Sequence, residues 1–335
     1  MQTAEEMAIR LAAASNGELE FYSQTEPQKT RWLWEPYIPR GKITLIQGDP
    51  GEGKSTLALA LAAAVSAGRS FPDGEAALSP DLVIYQNAED GVADTVRPRL
   101  DAQDADCTHI MRIPENREPL SILDPRLTGL ISRSRPALVI LDPLQAYLGC
   151  EVDMHRANEV RPVMSALSEL AAEYGCAVVL IGHMNKMQKS KSIYRGLGSI
   201  DITAAARSVL TVARDPAAPE NRVVFQVKNS LAEMAAPAAF SLKNGRFSWL
   251  GEYEADIAEV LSSEPRTGSP VEKAKAFLLR FLPEQETKLP QTEIYDTAQS
   301  EGISKSTLFR AKHILKIRSV REHDRWYWTR GDSSD

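Results

Sequence analysis

Eight residues, Gly48-Asp49-Pro50-Gly51-Glu52-Gly53-Lys54-Ser55, fit the pattern Gly-x-x-x-x-Gly-Lys-Ser/Thr, and Thr56 follows them. The run lies between a β-rich stretch (43–47) and an Ala/Leu-rich helical stretch, the strand–loop–helix setting that a phosphate-binding loop requires. Glycines at 48, 51 and 53 let the backbone curl so that successive N–H groups face an anion, helped by the N-terminus of the following helix. Lys54 is expected to reach the β- and γ-phosphates of a nucleoside triphosphate. Ser55 is expected to hold Mg2+, and residues Gly48 to Thr56 together to line the site for ATP.

Phosphoryl transfer needs an acid that holds the metal's water shell, normally at the end of an apolar strand. Asp142 closes Ala-Leu-Val-Ile-Leu-Asp (137–142) and fits that role. Hydrolysis also needs a carboxylate that orients and deprotonates water. Pro143 follows Asp142, so that base must come from elsewhere: Glu89, just past the strand 82–87, is the candidate, with Asp90 as its competitor. His183, at the end of the strand 177–181 and its Gly182, could sense the γ-phosphate. Beyond it, the polar stretch 187–200 carries Lys189, Lys191 and Arg195 and is expected to contact nucleic acid.

A second concentration of chemistry lies at the end of the chain. Residues 1–270 carry 27 basic against 35 acidic side chains, whereas 271–335 carry 12 against 10. Eight basic residues fall within 303–330, with Glu322 and Asp324 as the acids there. A basic face on an otherwise acidic chain suggests a polyanionic partner. Helical periodicity at 271–281, 291–301 and 305–315, a tight turn at 302–304 and a strand-like end at 318–329 give the order helix, helix-turn-helix, wing. Ser304 is the expected N-cap. Lys305, Ser306, Arg310 and Lys312 are expected to face DNA, while Ile303, Leu308, Ile314 and Leu315 fill the core. Alternation of Trp326, Tyr327 and Trp328 predicts that at least one face of the wing is packed.

The elements that must position these groups follow from the rest of the pattern. In 335 residues, 43% apolar and 25% charged, there is enough chain for two folded domains. β-rich runs at 43–47, 82–87, 109–113, 137–141 and 177–181 alternate with helical stretches such as 57–66 and 160–174, which predicts an α/β fold with a parallel sheet. Runs at 208–213, 223–228, 240–243 and 246–249 lack long helices between them and are expected to be antiparallel strands at the sheet's edge. The Ser/Pro/Gly-rich stretch 262–270 reads as a linker. The expected organisation is an N-terminal arm (1–29) with a helix over 4–14, an ATPase domain (30–261), the linker, and a winged-helix-like domain (271–331). The longest apolar stretch, 57–65, is about half of the ~20 residues a membrane span needs, and the first 30 residues are acidic rather than signal-like. A soluble, cytoplasmic protein is therefore expected. Cys107, Cys150 and Cys176 show no metal-binding spacing and are expected to be reduced, buried thiols.

Over 32–250 the chain resembles the RecA/DnaB superfamily, and within it the RepA-type hexameric helicase ATPases of plasmids and phages. The resemblance rests on Ile-Pro-Arg-Gly (38–41) leading into the phosphate loop, Asn-Ala-Glu-Asp (87–90), Leu-Val-Ile-Leu-Asp-Pro-Leu (138–144), Gly-His-Met-Asn-Lys (182–186), the stretch 194–210, and Val-Lys-Asn-Ser (227–230). It implies a RecA-like sheet in which strand 82–87 neighbours the phosphate-loop strand, a catalytic glutamate at Glu89, and nucleotide bound between subunits of a homo-oligomeric ring, expected to be a hexamer. Arg207 and Lys228 best match basic residues that reach a neighbour's γ-phosphate. Ser230 stands where the DnaB pattern has an arginine, which leaves the identity of that finger open. The resemblance implies a Mg-ATP-dependent motor on DNA, a replicative helicase or helicase-like motor of a plasmid or phage, whose loops 149–158 and 187–200 grip a single strand. A recombination ATPase and an ATP-switched DNA-binding regulator remain as alternatives.

Overall fold

The computed structural model describes residues 6–7, 9–10, 22–72, 79–115, 118–154, 156–183, 200–216, 218–243, 246–254, 257, 260, 270–282, 288–322 and 325–330. The chain divides into residues 1–31 and residues 32–335. In the first unit, residues 6–7 and 9–10 are helical and Tyr22–Gln24 forms a 3-10 turn, with Met7, Ile9 and Tyr22 exposed. The rest of the helix expected over 4–14 lies outside the described residues.

The second unit opens with a short hairpin of β1 (Trp32–Trp34) and β2 (Ile38–Pro39). The strands β3 (Ile43–Gly48), β4 (Val83–Asn87), β5 (Ile110–Met111), β6 (Leu138–Asp142), β7 (Ala177–His183), β8 (Ser208–Asp215), β9 (Ala218–Asn229), β10 (Ala238–Lys243) and β11 (Arg246–Glu252) form one sheet in the order β11-β10-β9-β8-β3-β7-β6-β4-β5. The helices α1 (Lys54–Ser66), α2 (Arg97–Asp101), α3 (Pro125–Ser134), α4 (Ala157–Tyr174) and α5 (Ile200–Ala205) connect them. β3 to β8 are mutually parallel, and β9 to β11 add antiparallel strands at one edge. This is the expected α/β architecture, and it is consistent with a RecA-like fold.

Two details differ from expectation. The segment 208–213 is not an antiparallel edge strand but β8, parallel to β3 and beside it. The strand after the phosphate loop, β4, is not β3's neighbour, because β7 and β6 lie between them. Neighbours in a parallel sheet are set by where each crossover helix lands, which local pattern does not encode.

The central strands are buried on both faces. In β6, Leu138 and Ile140 pack into one core while Val139 and Leu141 pack into the other, and β7 divides in the same way between Val179 and Ile181, and Val178 and Leu180. That period-2 division places the apolar runs in the middle of the sheet. α1 is covered nearly all round, with Leu57, Leu59 and Leu61 at most 1% exposed. Each such side chain contributes about 1.5–3 kcal/mol through burial. Trp34 stacks on Tyr37 and Phe71 and meets Trp249 edge-on, closing the same core.

The C-terminal part comprises α6 (Pro270–Phe281), β12 (Lys288–Pro290), α7 (Gln291–Ser300), α8 (Lys305–Ile314), β13 (Ile317–Glu322) and β14 (Arg325–Arg330). Its three strands pair antiparallel in the order β12-β14-β13. It has its own core of Phe277, Leu278, Ile294, Ile303, Leu308 and Trp328. Ser304 caps α8, its Oγ accepting from Thr307 N at 3.2 Å. Trp328 is fully buried and Trp326 is exposed, so one face of the strand pair is packed as the alternation predicts. Ile314 and Leu315 are only half-buried.

The thiols differ from expectation: only Cys176 is buried, Cys107 is half-buried and Cys150 is exposed. Short apolar surroundings in sequence do not guarantee burial when the residue falls on a loop, as Cys150 does. No helix among the described residues is long and apolar enough to cross a membrane.

Candidate active site

β3 ends at Gly48 and α1 begins at Lys54, so residues 49–53 form the turn between strand and helix. A Cβ on Gly48 would lie 2.3 Å from the carbonyl oxygen of Val212 in the adjacent β8, and this close backbone approach admits only glycine. Gly53 caps α1 with φ 89°, a left-handed conformation, and a Cβ there would also meet Leu242 at 2.9 Å. The first N–H groups of α1 have no partner within the helix, which leaves them available to a phosphate. Lys54 is 3% exposed and its Nζ donates to Asp49 O at 2.8 Å. Burial pulls its ammonium below the usual range, opposed first by Asp142 and then by Asp49, Glu52 and Glu89.

Asp142, at the end of β6, is 1% exposed and accepts a hydrogen bond from Tyr85 Oη at 3.0 Å. Burial, reinforced by the Asp142 charge, raises Tyr85 well above the phenol range, so it stays a donor. Asn87 is the register partner of Asp142 on β4. Its Oδ1 accepts from Glu89 N at 3.1 Å and Asp90 N at 2.7 Å, an Asx turn that shapes the 87–90 corner. Asp90 is tied to Arg99 at 2.9 Å, whereas Glu89 is exposed and close enough to act on Lys54 electrostatically. Gly48, Asn87, Asp142 and His183 all end parallel strands, so the sheet gathers Lys54, Asp142 and Glu89 beyond its carboxyl edge, where open α/β sheets bind ligands.

His183 pairs with Gly48 through the backbone, and its side chain lies outside the described residues. So do Lys189, Lys191 and Arg195, with the whole of 184–199. Arg207 is exposed. Lys228, expected to be a finger for a neighbour's phosphate, is engaged otherwise: its Nζ donates to the carbonyls of Thr203, Ala204 and Ala206 at 2.8, 3.1 and 2.7 Å. It caps the carboxyl end of α5, where unpaired carbonyls favour a cation.

Two of the four residues expected to face DNA from α8 turn inward. Arg310 is 5% exposed and bonds Asp215 at the end of β8, because its position falls on the helix face packed toward the large sheet. Lys312 donates to Ser319 Oγ at 2.6 Å and lies over Trp328 at 4.6 Å, and burial lowers its pKa. Lys305 remains exposed at the start of α8, with its Nζ 5.1 Å from the centre of the Tyr295 ring, and Ser306 is half-buried beside Ser304.

Several site residues carry no local signal. Tyr85 reads as an ordinary apolar strand residue. Buried Gln47 bonds Thr211 across β3 and β8 at 3.3 Å. Arg214 and Arg222 lie opposite each other on β8 and β9, each 3.9 Å from Glu52 of the phosphate loop. Only strand pairing brings them there.

The donor set fits Mg2+. A buried carboxylate and the Ser55 hydroxyl are hard oxygen donors, and Mg2+ is usually held by one or two carboxylates plus substrate phosphates and water. Among the described residues, no group of three or more His, Cys, Asp or Glu could hold a metal without such help.

The pattern that defines the AAA-domain family matches residues 11–189. The chain is 31% identical over 152 residues to the DNA repair protein RadA of Mycolicibacterium smegmatis, which is 44% of this chain and 29% of that protein. It is 26% identical over 155 residues to RadA of Bacillus subtilis, with the same two shares. With RadA of Streptococcus pneumoniae it shares 26% identity over 167 residues, 49% of this chain and 35% of that protein. The chain thus spans about three tenths of the length of the first two relatives.

Proposed function

From the premise that the chain belongs to the AAA-domain family, we propose that it is a Mg-ATP-dependent, RecA-like ATPase that acts on DNA. The convergence of the phosphate loop, Asp142 and the Asn87–Glu89 corner at the carboxyl ends of β3, β6 and β4 carries this reading. Residues Gly48 to Thr56 cradle the phosphates, and Lys54 exchanges its bond to Asp49 O for the β- and γ-phosphates. Ser55 and Asp142 would hold Mg2+, which would supply neutralisation of the charge on the phosphates. Glu89, presented by Asn87, orients and deprotonates the attacking water; Asp90 is occupied with Arg99 and is the weaker candidate. His183 senses the γ-phosphate.

The finer reading is a ring-forming motor of the RepA helicase type; such a motor requires a trans-acting cation, and with Lys228 bonded to the carbonyls at the end of α5, exposed Arg207 is the residue we assign to that role.

 That motor would be a homo-oligomeric ring, a hexamer in the RepA arrangement, with single-stranded DNA gripped by the 149–158 and 187–200 stretches through Lys189, Lys191 and Arg195. Such a grip works on backbone phosphates and is therefore salt-sensitive and sequence-tolerant. The C-terminal order α6-β12-α7-α8-β13-β14 supports a winged-helix reading for 271–331, joined through 262–270 to an ATPase domain at 30–261 and an arm at 1–29. In it, Lys305 and Ser306 are the residues of α8 left to meet DNA.

A repair or recombination ATPase that remodels single strands is the second reading, and the name of the RadA relatives favours it. The inward turn of Arg310 and Lys312 disfavours a regulator that reads duplex DNA through α8. The test is the steady-state ATPase rate with and without single-stranded DNA at two salt concentrations, with the particle mass measured in the same buffers. Strong stimulation in an ATP-dependent ring supports the motor. A slow rate indifferent to single strands sinks both the motor and the remodelling ATPase.

A further inference from the structure

Glu52 sets an acid inside the loop that has to receive a polyphosphate. Its carboxylate is not left to solvent: Arg214 Nε lies 3.9 Å from Oε1 and Arg222 Nε 3.9 Å from Oε2. The Arg222 side chain is 8% exposed, and its Nη1 is pinned by the carbonyls of Pro219 at 2.6 Å and Asn221 at 3.1 Å. Among the described residues, neither Arg222 Nε nor Glu52 Oε2 has a hydrogen-bond partner, so their interaction is one of charge rather than of hydrogen bonding. Arg214 and Arg222 are a cross-strand pair of like charge, an arrangement that is destabilising without an anion between them. Burial lowers the pKa of Arg222, Arg214 lowers it further, and Glu52 opposes both.

We propose that Arg222, backed by Arg214, is a positioning residue of the phosphate loop: it neutralises Glu52 and holds that side of the loop, so that the loop presents no uncompensated negative charge to an incoming triphosphate. The inference rests on the nucleotide-binding reading above. It predicts an asymmetry. Removing Arg222 leaves Glu52 to repel phosphate, whereas removing Glu52 removes the repulsion together with its anchor.

The test uses the full chain with Mg-ATP, reading KM, kcat and the affinity for a fluorescent ATP analogue. Arg222→Met should raise KM on the order of tenfold, the effect of one uncompensated charge in a partly buried site, with kcat changed by less than about twofold. Adding Glu52→Gln to Arg222→Met should bring KM back to within about threefold of the wild type, as coupled neighbours do in a double-mutant cycle. An unchanged KM in Arg222→Met, or a loss that Glu52→Gln does not rescue, overturns the proposal. If Arg222→Met does not fold, Arg214→Met with the same rescue carries the test. Lys54→Ala separates the two ideas. If the wild type binds no nucleotide, or Lys54→Ala binds it equally well, the nucleotide reading fails; if Lys54→Ala abolishes binding while Arg222→Met leaves it intact, only the positioning role fails.

Discussion

Arg310 of α8 and Asp215 at the end of β8 form an ion pair in which the two side chains are 4% and 1% exposed. Tyr253 Oη donates to the other carboxylate oxygen at 2.7 Å. Burial raises the Tyr253 pKa, and the bond to Asp215 adds to that shift, so the phenol remains a donor across the neutral range. The pair fastens the C-terminal helix to a strand whose preceding residue, Arg214, faces the phosphate loop. Removing one member of a buried pair strands the other charge, so Arg310→Met and Asp215→Asn should each destabilise the protein by about 3–5 kcal/mol. Denaturant melts measure this. A loss below about 1 kcal/mol would be the value for a surface pair and would contradict the burial.

Lys54→Ala should abolish nucleotide binding or hydrolysis, and Glu89→Gln should leave ATP bound but unhydrolysed. Asn87→Ala removes the acceptor that shapes the Glu89 corner. It should lower kcat about tenfold with KM little changed, as expected when an interaction serves the transition state alone. Single-turnover hydrolysis beside equilibrium nucleotide binding distinguishes these outcomes. Normal hydrolysis in Glu89→Gln would move the base to Asp90 or elsewhere.

Gly48→Ala should disable the loop, because the added methyl would meet the Val212 carbonyl at 2.3 Å. Either strand β3 or β8 must shift, with a stability loss of about 1–3 kcal/mol, the range for overpacking. Thermal unfolding with and without Mg-ATP should show both the lower midpoint and a reduced stabilisation by nucleotide.

Lys305 and Lys312 sit seven residues apart on one helix and should behave differently. Lys305→Ala should weaken DNA binding and reduce the salt slope by about one unit, as loss of a single phosphate contact does. Lys312→Ala should instead lower stability, because Lys312 is held by Ser319 and the Trp328 face. Binding isotherms across a salt series, paired with melting curves, check both. A lowered salt slope in Lys312→Ala would put that side chain back on the DNA face.

Cys176 is buried and its thiol is pushed up to about 11, chiefly by burial. A folded-state value above the unfolded one means that this group favours the fold below the unfolded thiol's pKa and loses that contribution as pH rises through about 11. At pH 8, alkylation of the native protein should modify exposed Cys150 quickly and spare Cys176 until the chain unfolds. Mass mapping of the labelled peptides reads the order.

The amino-acid sequence alone determined the features whose cause is local. Three glycines and a Lys-Ser pair between a strand and a helix specify a phosphate loop, an apolar run closed by Asp142 specifies a buried strand with an acid at its tip, and Ser304 before a periodic segment specifies a helix start. The tertiary structure decided everything that depends on which elements become neighbours. Crossover landing, not chain order, separated β4 from β3 by two strands. Cross-strand register set Arg222 beside Arg214 and Glu52. Docking of α8 turned Arg310 from a surface cation into a buried partner of Asp215, and α5 drew Lys228 onto its carbonyls. A charged side chain's role follows from the nearest opposite charge or dipole in space, and that neighbour is chosen only when distant parts of the chain pack together.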